Sequence, residues 1–216
     1  MRSVLVTGGT VRLGKAIVDR LRAEGWRVIT SSHRADAGAD IVADLAEPMG
    51  AAKLYAAALQ MLGGTPPDAL VNNAALFTGD DAAITAVNLE APKKLTMLMA
   101  GRETGVGAVV NVLDAKALDG NRLQSTAADS YRRSKRELAA FTRSSAATFA
   151  ATLRVNGVAP GPVMAPTDVH EKAGEMLLDR RPTADDVASA VSYLLSAEAT
   201  TGVVIPVDAG QHLVAQ

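Results

Sequence analysis

Tyr131 and Lys135 are the two residues whose types and spacing most directly suggest chemistry. They lie four positions apart in a segment with a helical pattern, so their side chains would share one helix face, one turn apart. An ammonium beside a phenol favours the phenolate, which would lower the tyrosine pKa and make it a better proton donor or acceptor near neutral pH. Because such a pair is usually a surface contact, the catalytic interpretation requires a pocket with a redox cofactor beside it.

The elements that would position this pair alternate between short apolar strands and amphipathic helices. Strict alternation of apolar strands and helices, without a repeat or a linker, predicts one doubly wound α/β domain over residues 1–216. Strands are predicted at 4–7, 26–31, 41–44, 69–72, 107–113, 153–158 and 203–207, and helices from Leu13 to a stop at Gly25 and over 49–62, 81–99 with a disturbance at Pro92, 126–151 and 183–196.

Composition excludes several classes of function. Hydrophobic residues make up 48% of the 216 residues, which excludes global disorder, and a net charge of −1 gives no reason to expect nucleic acid or an anionic membrane as partner. The absence of cysteine excludes disulfides and thiolate chemistry, and the three histidines lack metal spacing. The N-terminus lacks the apolar run of a signal peptide and no segment reaches membrane-span length, so we expect a cytoplasmic protein.

A glycine-containing turn, Thr7–Gly14, joins the first strand to the first helix. Glycines at this place let the backbone approach a pyrophosphate at the positive end of a helix. The turn departs from the strict G-x-G-x-x-G pattern, and Gly9, Gly14 and Lys15 partly match a P-loop. Ala16 stands where a P-loop needs a magnesium-binding Ser or Thr, so a dinucleotide site is favoured over a nucleotide triphosphatase.

Arg34 follows the second strand, where an NAD-specific site would carry an acidic residue for the ribose 2′-hydroxyl. A guanidinium is a good partner for a 2′-phosphate, and Arg12 in the glycine turn adds a second positive charge. A solvated loop arginine is the competing interpretation. Together the two arginines favour NADP over NAD.

In combination these motifs resemble the short-chain dehydrogenase/reductase family, and the resemblance covers nearly the whole chain. It implies a Rossmann fold with a mostly parallel seven-stranded sheet in the order 3-2-1-4-5-6-7. The residues that carry it are Thr7-Gly8 with Gly14, Asp44, Asn72-Asn73-Ala74, Asn88, Tyr131-x-x-x-Lys135, Pro160-Gly161 and the C-terminal stretch Thr201–Gly210.

The resemblance also implies a role for each site residue. Tyr131 would donate the proton, Lys135 would bind the nicotinamide ribose and lower the tyrosine pKa, and Asn88 would support a water-mediated proton relay. Hydride would pass from the nicotinamide to a C=O or C=N carbon. The implied cofactor-binding residues, besides Tyr131 and Lys135, are Gly8, Thr10, Arg12, Leu13, Gly14, His33, Arg34, Asp44, Leu45, Asn73, Ala74, Pro160 and Gly161.

Two departures from the usual family pattern are similar to the pteridine reductase branch. Arg12 replaces the middle glycine of the turn, and Asp114 replaces the catalytic serine after strand five. His33-Arg34 and Phe77 are also shared with that branch, in which the aromatic ring stacks on the pterin. A flat pterin suits an aromatic face, while Asp114 could anchor or help protonate its amide-amidine edge and Arg12 could reach both phosphate and ring. Arg12, Phe77, Asp114 and Tyr131 are therefore the predicted substrate-binding residues.

Alternatives remain at this point. An NADPH-dependent reductase of a dihydropterin or dihydrofolate is favoured over a ketone or β-ketoacyl reductase and over a non-catalytic NADP-binding regulator. Compared with the family, the loop at 115–130 is long and the substrate loop at 163–181 is short. By resemblance the protein would be a homodimer or homotetramer that packs through helices 81–100 and 126–151.

Overall fold

Seven parallel strands form one sheet in the order β3-β2-β1-β4-β5-β6-β7. The structure is a computed structural model that describes residues 1–103, 105–118, 127–163 and 176–214. It confirms the predicted α/β fold and strand order, and every pairing in it is parallel. The strands are β1 Ser3–Thr7, β2 Arg27–Ser32, β3 Ile41–Val42, β4 Ala69–Asn72, β5 Gly107–Val112, β6 Leu153–Pro160 and β7 Val204–Val207. The α-helices are α1 Arg12–Ala23, α2 Gly50–Met61, α3 Asp81–Thr85, α4 Ala91–Ala100, α5 Ala115–Leu118, α6 Ala127–Thr148 and α7 Ala184–Ser196.

Both faces of the sheet are covered by helices, as the continuous apolar strands require. Val4 and Val6 of β1 face one core that includes α1 and α7. Leu5, between them, faces a second core that includes α2 and α4. Since all strands run in one direction, their carboxyl ends lie at the same edge of the sheet, and the loops that follow them lie there too.

Pro92 disturbs its helix in a specific way. The segment predicted as one helix over 81–99 consists of α3, a π-helical turn at Ala86–Glu90, and α4, in whose first turn Pro92 lies. Proline lacks an N–H and its ring displaces the carbonyl four residues earlier, which is that of Asn88. The wider turn accommodates both effects, and π-turns of this kind are frequent at functional sites.

Two predicted segments fall partly outside the described residues. Residues 119–126 of the loop at 115–130 and residues 164–175 of the substrate loop at 163–181 lie there. Helix α6 is described from Ala127 and ends at Thr148, three residues before its predicted end. Within the described ranges, no helix is long and apolar enough to cross a membrane, and no cluster of His, Asp or Glu side chains could hold a metal ion.

Thr183 caps α7, the helix that packs beside α1. Its hydroxyl accepts a hydrogen bond from the Asp186 amide at 3.2 Å, and the Asp186 carboxylate accepts one from the Thr183 amide at 2.8 Å. We expect Thr183→Ala to lower the free energy of unfolding by about 1 kcal/mol, because the first turn loses its side-chain acceptor. Urea unfolding measures this loss, and the exposed Thr65→Ala is the matched control. Equal stability of the two variants would contradict the capping role.

Candidate active site

One large cleft, of about 1040 Å³, lies at the carboxyl edge of the sheet. It brings together every residue predicted for cofactor or substrate binding, and of the predicted site residues only Asn88 does not line it. Residues that the sequence analysis missed also line it, because loops distant in sequence converge there. The predicted lining residues are Gly8, Thr10, Arg12, Leu13, Gly14, His33, Arg34, Asp44, Leu45, Asn73, Ala74, Phe77, Asp114, Tyr131, Lys135, Pro160 and Gly161, and the missed ones include Ser32, Asp36, Lys116, Arg132, Val163, Arg181 and Gln211.

The glycine turn is fixed by hydrogen bonds to the loop after β4. The Thr7 hydroxyl accepts from the amides of Asn73 and Ala74, both at 3.0 Å. The Asn73 amide nitrogen donates to the carbonyls of Thr7 and Gly8, also at 3.0 Å. A side chain at Gly14 would place its Cβ 2.0 Å from the Gly8 carbonyl oxygen, so this close approach of the two backbones requires glycine.

The start of α1 fits the pyrophosphate of a dinucleotide. Val11 at its N-cap has no side-chain hydrogen bond to the helix, and the first turn contains no acidic residue. The residues of this turn line the cleft. Backbone N–H groups at a helix start carry partial positive charge and seek an acceptor, and a phosphate oxygen is a suitable one.

Arg12 adopts a left-handed backbone conformation, with φ of 50°. Few residues other than glycine, asparagine and aspartate take this conformation readily, since it brings Cβ close to the following carbonyl oxygen. This geometry explains why a glycine commonly stands at this place in the resembling family. The chain therefore has a strained arginine among the residues that line the cleft. The strain is accompanied by a guanidinium, which a glycine at this position would not supply.

Arg34, in the loop after β2, lines the cleft but is paired with Asp36. Its guanidinium donates two hydrogen bonds to that carboxylate, at 3.0 and 2.7 Å. Both groups are exposed, and their pairing raises the pKa of Arg34 and lowers the pKa of Asp36. The sequence analysis missed Asp36, although its position two residues after Arg34 was a usable signal. Since exposed ion pairs are weak, a 2′-phosphate could replace Asp36 as the partner of Arg34.

Tyr131 donates a hydrogen bond from its phenol to the Asp114 carboxylate, at 3.0 Å. The other carboxylate oxygen of Asp114 accepts from the Lys116 amide at 2.8 Å, which fixes its orientation. Burial and the charge of Asp114 raise the pKa of Tyr131 well above its ordinary value. The expected lowering of that pKa by Lys135 is therefore wrong for this arrangement, because burial and the charge of Asp114 raise it. Tyr131 stands as a protonated acid.

Lys135 is buried beneath Tyr131. Its ammonium donates to the Val112 carbonyl at 2.8 Å and lies 5.8 Å from the centre of the Tyr131 ring. Burial lowers the pKa of Lys135 to about 8, and the charge of Asp114 partly opposes this effect. The four-residue spacing did place the two side chains on one side of α6, as predicted. Burial has the largest effect on the pKa of Lys135.

Phe77 stands against Tyr131 at the opening of the cleft. The ring centres are 4.9 Å apart and the planes are tilted by 60°. Its side chain is 57% exposed, so it does not belong to the hydrophobic core. An exposed aromatic ring beside a proton donor offers a flat apolar surface to a ligand.

Asn88 lies in the π-helical turn and is completely buried. Its side-chain oxygen accepts from the Leu76 amide at 2.8 Å. Its side-chain nitrogen donates to the Leu76 carbonyl at 2.8 Å and to the Ser134 hydroxyl at 3.2 Å. The side chain thus connects the loop after β4 to α6, and the proton relay expected through Asn88 stays a prediction.

Comparisons with known proteins agree with this geometry. A family model described as enoyl-(acyl carrier protein) reductase matches residues 12–212. The crystal structure of FolM alternative dihydrofolate reductase 1 from Brucella canis, complexed with NADP, is 32% identical with a TM-score of 0.85, covering 100% of this chain and 96% of that one. L-xylulose reductase of Bos taurus is 31% identical and Protein FixR of Bradyrhizobium diazoefficiens 29%; both alignments cover 97% of this chain, and 96% and 86% of the respective relative.

The sheet order, the cleft and these similarities together define the class of protein. The chain belongs to the short-chain dehydrogenase/reductase family of oxidoreductases, as its motifs predicted. An alternative dihydrofolate reductase is among its structural neighbours, which agrees with the resemblance to the pteridine reductase branch.

The strain at Arg12 predicts an unusual order of stability. We expect Arg12→Gly to unfold at a higher urea concentration than Arg12→Ala, with about 1 kcal/mol between them, because only glycine adopts this φ without strain. Both variants remove the guanidinium, so the comparison isolates the backbone effect. An alanine variant as stable as the glycine variant would show that Arg12 is unstrained.

Lys135 predicts a stability change that depends on pH. The unfolded lysine holds its proton up to its ordinary pKa of 10.5, while the folded one releases it near 8. The buried charge therefore destabilises the folded protein below pH 8, and this effect disappears as the pH rises to 10.5. We expect Lys135→Met to increase the free energy of unfolding by roughly 1–3 kcal/mol at pH 7, with the increase shrinking as the pH rises through that window.

The matched control for this prediction is Lys53→Met, which removes an exposed lysine paired only with Glu47. Its effect should stay small, because exposed ion pairs contribute little. Thermal unfolding between pH 6.5 and 10.5 measures both variants. A difference between wild type and Lys135→Met that is constant with pH would contradict the lowered pKa.

Proposed function

We propose that the protein is an NADPH-dependent reductase that transfers hydride to a C=N bond of a pterin-like substrate, a dihydropterin or dihydrofolate, with Tyr131 as proton donor. NADP(H) is supported by the start of α1 and by Arg12 and Arg34 along the cleft. The solved relative FolM, which is 32% identical, was crystallised with NADP. The same proposal includes a single domain over residues 1–216 and a cytoplasmic location. It also includes a homodimer or homotetramer that packs through helices 81–100 and 126–151.

The observation that carries the substrate is the contact between Asp114 and Tyr131. An ionised carboxylate accepts hydrogen bonds and donates none. Beside a ketone it would repel the negative charge that develops on the oxygen during reduction. Beside a pterin it would accept hydrogen bonds from the ring N–H and amino groups. Asp114 thus favours a substrate that presents donors next to the proton-accepting atom.

Phe77 supports the same assignment. Its exposed ring stands 4.9 Å from that of Tyr131. A flat heterocycle can stack on such a ring, whereas a small aliphatic ketone gains little from it. The aromatic ring therefore favours a flat substrate, and the carboxylate favours one that donates hydrogen bonds.

The residues divide the reaction between them. The bound cofactor would supply the hydride to the electrophilic carbon. Tyr131, kept protonated by its surroundings, would donate its proton to the substrate nitrogen. Lys135, held by the Val112 carbonyl, would orient the nicotinamide ribose and limit the charge that remains on the phenol after transfer.

Reduction of a ketone or β-ketoacyl group is the second candidate function. It is favoured by the similarity to L-xylulose reductase. A non-catalytic NADP-binding regulator is less well supported, because a regulator has no need of the buried Lys135 and the protonated Tyr131 beside it.

NADPH oxidation in the presence of a 7,8-dihydropterin tests the proposal. We expect turnover by the wild type and a fall of about 10²–10⁴-fold in Tyr131→Phe, because the phenylalanine ring cannot donate a proton. Asp114→Ser should lose most pterin reduction and gain activity on small ketones, since a hydroxyl can donate to a carbonyl oxygen. Binding of NADPH, followed by its fluorescence, should be retained in both variants.

Ketone turnover by the wild type without any pterin turnover would contradict the proposed pterin substrate but not the proposed reductase activity. Equal activity of wild type and Tyr131→Phe on every substrate would overturn the catalytic role of the tyrosine.

A further inference from the structure

Ser134 lies one turn after Tyr131 on α6 and is buried. Its hydroxyl donates to the Tyr131 carbonyl at 2.7 Å and accepts from the Asn88 side-chain nitrogen at 3.2 Å. Ser134 does not line the cleft, and neither does Asn88, so neither side chain is placed to touch a ligand. Their hydrogen bonds connect the π-helical turn to the helix that carries the catalytic tyrosine.

Leu76 completes the connection. Asn88 binds both the amide and the carbonyl of Leu76, each at 2.8 Å. Such a two-point contact fixes the position and the orientation of this peptide segment. The next residue is Phe77, whose ring packs on Tyr131 at 4.9 Å. We use the term Asn88 clasp for the side chains of Asn88 and Ser134 together with the Leu76 backbone.

The contacts form a closed circuit from Tyr131 through Ser134, Asn88 and Leu76 to Phe77 and back to Tyr131. The side chains of Asn88 and Ser134 are buried, where an unpaired polar group is costly. Leu76, Tyr131 and the exposed Phe77 ring line the cleft. The circuit therefore links two buried polar side chains to residues of the cleft.

We propose that the Asn88 clasp is a positioning device that holds Phe77 at a fixed spacing from Tyr131 and thereby sets the preference of the site for flat ring substrates. The inference rests on the proposed function for its substrate class. Asn88 and Ser134 are positioning residues that act through Phe77. The clasp explains why the loop after β4 presents an exposed aromatic ring in a defined place, although only loop backbone carries it.

Fluorine NMR tests the positioning directly and without a substrate. The chain contains three phenylalanines, so 4-fluorophenylalanine labelling of the full-length protein gives three resonances. Ser134→Ala should shift or broaden the Phe77 resonance, which Phe77→Leu identifies by its disappearance. Ser145→Ala is the matched control, because Ser145 is also buried on α6 and donates to a carbonyl three residues earlier. It should leave the Phe77 resonance unchanged.

Kinetics test the consequence for specificity. Ser134→Ala should raise KM for a 7,8-dihydropterin by about three- to ten-fold, the range expected for one aromatic stacking contact, with kcat within about two-fold of wild type. KM for a small aliphatic ketone, if turned over, and the Kd for NADPH should stay unchanged. In a Phe77→Leu background the effect of Ser134→Ala on the pterin KM should vanish, because the two residues act through one contact.

Three results would overturn the clasp: an unchanged Phe77 resonance in Ser134→Ala, an equal effect in Ser145→Ala, or the same rise in KM with and without Phe77. A wild type that reduces no dihydropterin would overturn the proposed function alone. The fluorine resonances would still decide whether the clasp positions the ring.

Discussion

The parallel direction of all seven strands is the constraint on which the site depends. It places the loops after β1, β2, β4, β5 and β6 at one edge of the sheet, although they are distant in sequence. Helices on both faces follow from the same constraint, because the strands between them are apolar on both sides. The glycine turn, the Phe77 ring and the Tyr131 phenol meet in one cleft for this reason, and none of them is close to the others along the chain.

Two residues of that cleft destabilise the folded protein locally. Arg12 takes a left-handed conformation and Lys135 is buried with a lowered pKa. The surrounding structure holds both, through the hydrogen bonds of Thr7 and Asn73 on one side and the Val112 carbonyl on the other. Residues maintained against such costs are commonly found at functional sites, since strain and buried charge have no structural benefit of their own.

The relatives share the fold of this chain but carry the names of different proteins. Proteins between 29% and 32% identical, one named a dihydrofolate reductase and another an L-xylulose reductase, align over nearly the whole chain. A shared fold fixes where cofactor and substrate lie but not which substrate is used. In this chain a carboxylate and an aromatic ring contact the tyrosine, and they come from the loops after β5 and β4.

The sequence by itself determined the fold and predicted a group of residues that line the cleft. Alternating apolar runs and glycine stops predict strands and helices locally, and the spacing from Tyr131 to Lys135 is fixed by helix geometry. Only the tertiary structure decided the electrostatics and the partners. The pKa of Tyr131 rises because the phenol is buried and because Asp114, 17 residues away in sequence, lies beside it and accepts its hydrogen bond. Asn88 binds Leu76 and Ser134, which lie on other segments of the chain. Such effects depend on distances of a few ångströms between loops, which sequence patterns do not encode.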